Sequence, residues 1–168
     1  MPVSLYDVSI PVFIRTFGHF SKFLDKGRAF ADEKGIPHSE LLDARLFPDM
    51  APLTAQVQRA SDTARFAAVR VAQIEAVPMP DTEASFGELQ ERIARTVDFL
   101  KGVPSDAINA GEDIEVTLKT QHFSTTFRGK DYLLGFALPN FYFHVTTAYG
   151  ILRHKGVPLG KLDFFGRG

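Results

Sequence analysis

Four stretches of this chain carry apolar residues at three- and four-residue spacing, each stripe confined to one side of a helix. An amphipathic helix with a polar outer face can bury its stripe only against another such helix, so four of them predict a bundle. The first pattern runs from Leu5 to Glu33, with Phe13, Phe17, Phe20, Leu24 and Ala31 on one face. Ser4 is its expected cap, with Asp7 three residues on as a capping-box variant, and Pro11 predicts a kink. Gly35-Ile36-Pro37 ends it. The second, Met50 to Ala76, carries Leu53, Val57, Ala60, Ala64, Ala67, Val71 and Ile74, and its many alanines predict a close helix–helix approach. Asp49 is the expected N-cap and Pro52 falls in the first turn, where a missing N–H costs little. The third, Phe86 to Lys101, opens on a Ser85–Glu88 capping box and turns Leu89, Ile93, Val97 and Leu100 inward. Gly102 and Pro104 stop it. The fourth, Phe141 to His154, carries Phe141, Val145, Ala148 and Leu152, with Gly156 as a natural stop.

Between the stripes the pattern changes. The connector Pro37 to Asp49 predicts one short helix, Ser39 to Leu46. From Glu112 to Leu118 apolar and polar residues alternate, which reads as a strand, and Phe123 to Phe127 is its expected hairpin partner. Two strands alone are marginal, so the insert must lie on the bundle. Asp131 is placed to cap a short helix, Tyr132 to Leu138, with Pro139-Asn140 interrupting before the last long helix. The tail, Val157 to Gly168, is apolar enough to pack back on the body. The expected architecture is mainly α: a single four-helix-bundle domain over residues 1–168 with a small β-hairpin insert before the last helix.

Composition narrows the function classes. With 168 residues the chain can bury roughly 70% of the surface it exposes when unfolded, so it needs neither metal nor disulfide to fold. Cysteine is absent, which excludes a thiolate nucleophile and Cys-based zinc sites and fits a cytoplasmic location. The 16 Phe and absence of Trp make Phe the main aromatic packing residue. A net charge of -1, with Lys and Arg scattered, argues against nucleic acid or an anionic membrane as partner. No run approaches the ~20 apolar residues of a bilayer span, and the N-terminal residues lack the layout of a secretory signal. G-x-S-x-G, H-E-x-x-H and G-x-G-x-x-G are all missing. Gly156 to Leu162 fails as a phosphate loop on spacing, on the missing Ser/Thr after Lys161, and on following a helix; Lys161 and Asp163 are expected to pair or anchor the tail.

Two blocks carry a family likeness. One runs from Asp131 through Tyr132, Gly135, Pro139, Asn140 and His144, then Tyr149, Leu152-Arg153-His154, Gly156 to Lys161 and Asp163-Phe164. The other joins Ala44-Arg45-Leu46, Pro48-Asp49-Met50 and Gln56-Val57-Gln58. In this order, over nearly its whole length, the chain resembles a bacterial domain-of-unknown-function family allied to the DinB/YfiT-like bundles. The resemblance implies the four-helix fold and often a homodimer. It also implies comparison with metal- or thiol-dependent transferases, whose metal site takes one His from an early helix and two from a late His-x-x-x-His. Here His144 matches the first late position, Ala148 stands at the second, and the nearest inward polar side chain on the second helix is Gln56. That set is broken at two places, and His144 with Gln56 would hold a divalent metal weakly.

The candidate pocket residues are therefore His144, Gln56, Thr63, Tyr149, Arg45 and Asp49. His144, beside an apolar stripe, reads as a general base or ligand in a bundle pocket, or as a core-edge histidine satisfied by one hydrogen bond. Gln56 and Thr63, about two turns apart, either line that pocket or hydrogen-bond across helices. Arg45 could fork onto a substrate carboxylate; the alternative is local, with Asp49 capping the second helix and Arg45 pairing with an acid. His154 and Lys155 suit the negative end of the helix dipole. His19 is expected at the surface or a subunit interface, and His38 and His122 in loops. Two functional expectations result. One is a metal-free small-molecule-binding or structural homodimer with no cofactor; the other is a transferase- or hydrolase-type enzyme built around His144.

Overall fold

The computed structural model describes residues 3–119 and 123–168. His122 lies outside the described residues. Four long helices, α1 (Ile10–Lys34), α3 (Leu53–Ala72), α4 (Phe86–Lys101) and α7 (Leu138–His154), surround one core. Shorter pieces are α2 (His38–Leu42), α5 (Ser105–Ala110), α6 (Gly129–Tyr132) and α8 (Lys161–Phe164), with strands β1 (Glu115–Lys119) and β2 (Ser124–Arg128) before α6. Helix α3 packs against both α7 and α4, and α4 against α1. Among the described residues no helix is long and apolar enough to cross a membrane.

The stripes are buried as their spacing predicts. Phe13, Phe17, Phe20 and Leu24 of α1 are sealed, and Phe13 and Phe17 meet Phe141 of α7 edge-on at 4.8 and 5.1 Å. Such pairs add about 0.5–1.5 kcal/mol beyond their buried area. Ala60, Ala64, Ala67 and Ala68 lie wholly inside α3, and Ser61 and Thr96 hydrogen-bond between α3 and α4 at 2.7 Å. The Ser85 hydroxyl accepts from the Glu88 N–H at 3.2 Å, and the Glu88 carboxylate accepts from Ala84 N–H and the Ser85 hydroxyl. Gly156 takes φ +96°, so Val157 N–H reaches back to Leu152 O and Gly156 N–H to Arg153 O, closing α7. The tail packs back: Val157 and Leu159 are buried, and Asp163 of α8 pairs with Lys26 of α1 rather than with Lys161. Gly166 rests on the half-buried His19 ring, so that histidine is covered by the chain's own tail.

Three expectations at helix ends are corrected. Helix α1 begins at Ile10, which puts Pro11 in its first turn; no kink is needed, and the Ser4–Asp7 box instead closes a separate turn ahead of it. Helix α3 begins at Leu53 with extended Pro52 as N-cap, so Asp49 caps nothing, and it ends at Ala72 because Gln73 turns left-handed at φ 52°. Pro139 does not interrupt the last helix. Residues Leu133–Ala137 form a π-helical turn joining α6 to α7, and that wider turn accommodates the hydrogen bond Pro139 cannot donate. The hairpin is antiparallel with Val116 opposite Phe127 and Thr117 opposite Thr126. Val116 and Leu118 face the bundle, and Gly129 N–H donates to Ile114 O at 2.8 Å where the hairpin returns.

Candidate functional site

Because the π-turn keeps Gly129–His154 in helical continuity, Tyr132, Phe136, Asn140 and His144 fall at four-residue intervals on one face. Helix α3 presents Arg59, Thr63, Phe66 and Arg70 at intervals of four, three and four. The helices run antiparallel, and three hydrogen bonds cross the seam. His144 Nδ1 meets Gln56 Oε1, Asn140 Nδ2 donates to Thr63 Oγ1, and Arg70 Nη1 donates to the Tyr132 hydroxyl, each at 2.8 Å. The hairpin lies over this seam. Between them is a cavity of about 340 Å³ lined by both stripes together with Asp62, Leu118, Lys119 and Phe123.

The lower rung fixes the state of His144. Gln56 is sealed, and its Nε2 donates to Ala51 O at 2.9 Å, which leaves its Oε1 facing the imidazole as an acceptor. His144 Nδ1 therefore carries the proton and donates, and the lone pair sits on Nε2. Burial, reinforced by the positive charge of Arg59, pulls the His144 pKa down to about 4, so the ring is neutral at physiological pH. His144 lines the cavity, and Nε2 has no hydrogen-bond partner among the described residues. This is an acceptor held ready for an O–H or N–H group. Thr63 closes the middle rung, its hydroxyl donating to Arg59 O at 2.7 Å while it accepts from Asn140. At the upper rung burial raises the Tyr132 pKa against the opposing charge of Arg70, so the phenol keeps its proton.

Behind the cavity lies a buried ionic cluster. Asp62 Oδ1 accepts from Arg65 Nη2 at 2.6 Å and from Arg92 Nη2 at 2.8 Å. Arg92, with its side chain 1% exposed, also pairs with Asp81 and Glu83 of the loop before α4 and donates to Pro80 O. Burial pushes Glu83 up, but hydrogen bonds from Gln58 and Arg92 outweigh it and hold the carboxyl below its ordinary value. The cluster ties the 78–83 loop to α3 and α4, and it occupies Asp62, the acid that borders the cavity.

Of the predicted residues, His144 and Thr63 line the cavity and Gln56 backs it. Tyr149 does not. It stands five residues past His144, about 140° further round the helix, where it packs on Phe23 and Phe164 beside a shallow second depression. Arg45 and Asp49 lie in the exposed connector ahead of α3. Arg45 Nη1 donates to Met50 O, and the two make no ion pair with each other. His38 sits in α2 rather than in a loop, its Nε2 2.7 Å from Asp32. Sequence reasoning missed Arg59, Asp62, Arg70, Tyr132 and Asn140. For Tyr132 and Asn140 the signal is the four-residue ladder to His144, which reading Pro139 as a break conceals; Arg59 and Arg70 share the Thr63 flank of α3 at helical spacing, and Asp62 carries no signal of its own.

The donor set does not fit the metal site that the DinB resemblance implies. Ala148 is buried without a donor atom, Gln56 stands on α3, and among the described residues no three His, Cys, Asp or Glu side chains converge to hold an ion.

Comparison with known proteins agrees with this architecture. A family model described as a domain of unknown function, DUF1993, matches residues 5–165. A crystal structure of a DinB family member protein from Shewanella denitrificans is similar at 36% identity and a TM-score of 0.90, over 98% of this chain and 92% of that one. No curated protein matches.

Proposed function

Since the chain belongs to the DUF1993 family and has a DinB-like fold, we propose that it is a metal-free small-molecule-binding homodimer whose site is the cavity between α3, α7 and the hairpin. The observation that carries this reading is the Gln56–His144 pair. A neutral imidazole with Nδ1 tied to an amide and Nε2 facing the cavity is a polar anchor in a cleft whose aromatic walls alternate with charged and polar side chains. Small-molecule sites orient their ligands through such placed polar groups. The homodimer is supported by exposed Phe47 and Phe143. Leu46, next to Phe47, lies against Gly150 of the helix that carries Phe143.

The test combines metal content with ligand detection. Untagged protein should contain substoichiometric zinc and nickel, unchanged by His144→Ala. A mixed panel of neutral, anionic and cationic small molecules should yield binders by saturation-transfer NMR that Thr63→Phe, which fills the cavity, abolishes. Stoichiometric metal lost on His144→Ala would overturn the metal-free reading. A second reading, an enzyme using His144 as general base, is favoured by the open Nε2 alone. It predicts turnover of a bound compound that His144→Gln abolishes while leaving binding intact.

A further inference from the structure

We propose that the cavity takes a small aromatic carboxylate, its carboxylate held by Arg70 and the Tyr132 hydroxyl and its ring laid along Phe66 and Phe136. This deepens the small-molecule reading and rests on it. Arg59, Arg70 and Lys119 line the cavity, and none of them pairs with a carboxylate among the described residues. The acid in the lining, Asp62, is already held by Arg65 and Arg92. A ligand entering here meets three cations without an acid partner among the described residues, set against the single negative charge left over where Asp62, Asp81 and Glu83 share Arg65 and Arg92.

Exposed cations alone would say little, since most are solvated. Arg70 differs because it is oriented before any ligand arrives. Its guanidinium lies over the Phe66 ring at 5.1 Å and the Tyr132 ring at 5.7 Å, and Nη1 is fixed on the Tyr132 hydroxyl. The remaining N–H groups of the fork have no protein partner among the described residues, and they are not sealed from solvent. A guanidinium fork matches the two oxygens of a carboxylate. The Tyr132 oxygen accepts from Arg70, so its own proton is left to donate to the same ligand group. The walls choose the rest of the ligand. Phe66 and Phe136 are half-buried, and Tyr132 and Phe136 stack at 6.0 Å with their planes 19° apart. Phe66 already carries Arg65 and Arg70, and Phe136 already meets Tyr132 and Phe127, so what remains for a ligand is their half-buried surface lining the cavity, which an aryl group buries and an inorganic anion does not.

The experiment is isothermal titration of the full chain at low salt with benzoate, benzamide and inorganic phosphate. Benzoate should bind saturably, and benzamide and phosphate at least about tenfold more weakly, the scale of one charge-assisted hydrogen bond. Arg70→Gln should weaken benzoate by about tenfold or more, and the exposed Lys119→Gln, which leaves the fold alone, by a few-fold. Equal binding of benzamide or phosphate, or benzoate affinity unchanged in both variants, overturns the proposal. If neutral aromatics shift the His144 and Phe66 resonances as strongly as benzoate does, the carboxylate class falls and the small-molecule reading stands. If no compound of any charge shifts them, both fall together.

Discussion

Acid should weaken this protein through His144 before it does so through the carboxyls of Asp7, Glu83 and Asp163. In the folded state the ring titrates at about 4, against an ordinary value of 6.5. The unfolded chain therefore binds the proton first, and stability falls as pH is lowered through that interval. The contribution is complete above pH 6.5, is lost progressively toward pH 4, and is flat below it. Its full size is up to about 3 kcal/mol, of which about 2 kcal/mol is gone by pH 5. The physical origin is a single buried site: protonating Nε2 places a cation in the seam, close to Arg59, with Gln56 able to accept only from Nδ1. The carboxyls with lowered values, Asp7, Glu83 and Asp163, lose their contributions only as pH falls below their ordinary 3.8 to 4.5, so most of the His144 loss precedes theirs. The assay is urea unfolding followed by far-ultraviolet circular dichroism at several pH values for the wild type and His144→Gln. The wild type should lose the predicted free energy between pH 6.5 and 4 relative to the variant. Parallel loss in the two proteins would refute the reasoning.

Other consequences are independent of that titration. Ser85→Ala removes the hydroxyl that accepts from Glu88 N–H and should cost about 1 kcal/mol in urea unfolding. A Cβ at Gly111 would collide with the Val71 carbonyl, a backbone group that cannot swing aside. Gly111→Ala should therefore destabilise by more than about 3 kcal/mol or prevent folding, seen as loss of the cooperative thermal transition. Phe143→Glu should convert a dimer to a monomer in light scattering at micromolar concentration with little change in melting temperature; a wild type already monomeric there would sink the dimer reading.

Much of the fold is legible because its determinants are local or periodic. The Ser85–Glu88 box, the left-handed glycines after α1 and α7, and the phenylalanine stripe of α1 each specify a boundary or a face from residues close in sequence. Prolines misled where their effect depends on hydrogen-bond bookkeeping one turn away. Pro11 is harmless in a first turn, and Pro139 is absorbed by a π-turn that no residue type announces. Helix α5 has only six residues and no stripe long enough to register. The candidate site was half legible. His144, Gln56 and Thr63 stand out as polar side chains beside apolar stripes. Tyr149 was drawn in by proximity along the chain, although it points to another side of α7. Arg92 carries no signal in the sequence, because its burial depends on the 78–83 loop folding over it and bringing Glu83 and Asp81 into contact.

The most direct test of the site is the imidazole nitrogen spectrum of His144, read by long-range proton–nitrogen correlation and assigned by comparison with His144→Gln. At neutral pH it should report the neutral tautomer with the proton on Nδ1, show no protonation near pH 6, and remain unmoved by one equivalent of zinc. A proton on Nε2, or a zinc-induced shift of that nitrogen, would contradict the account of His144 as an open acceptor in a metal-free ligand cavity.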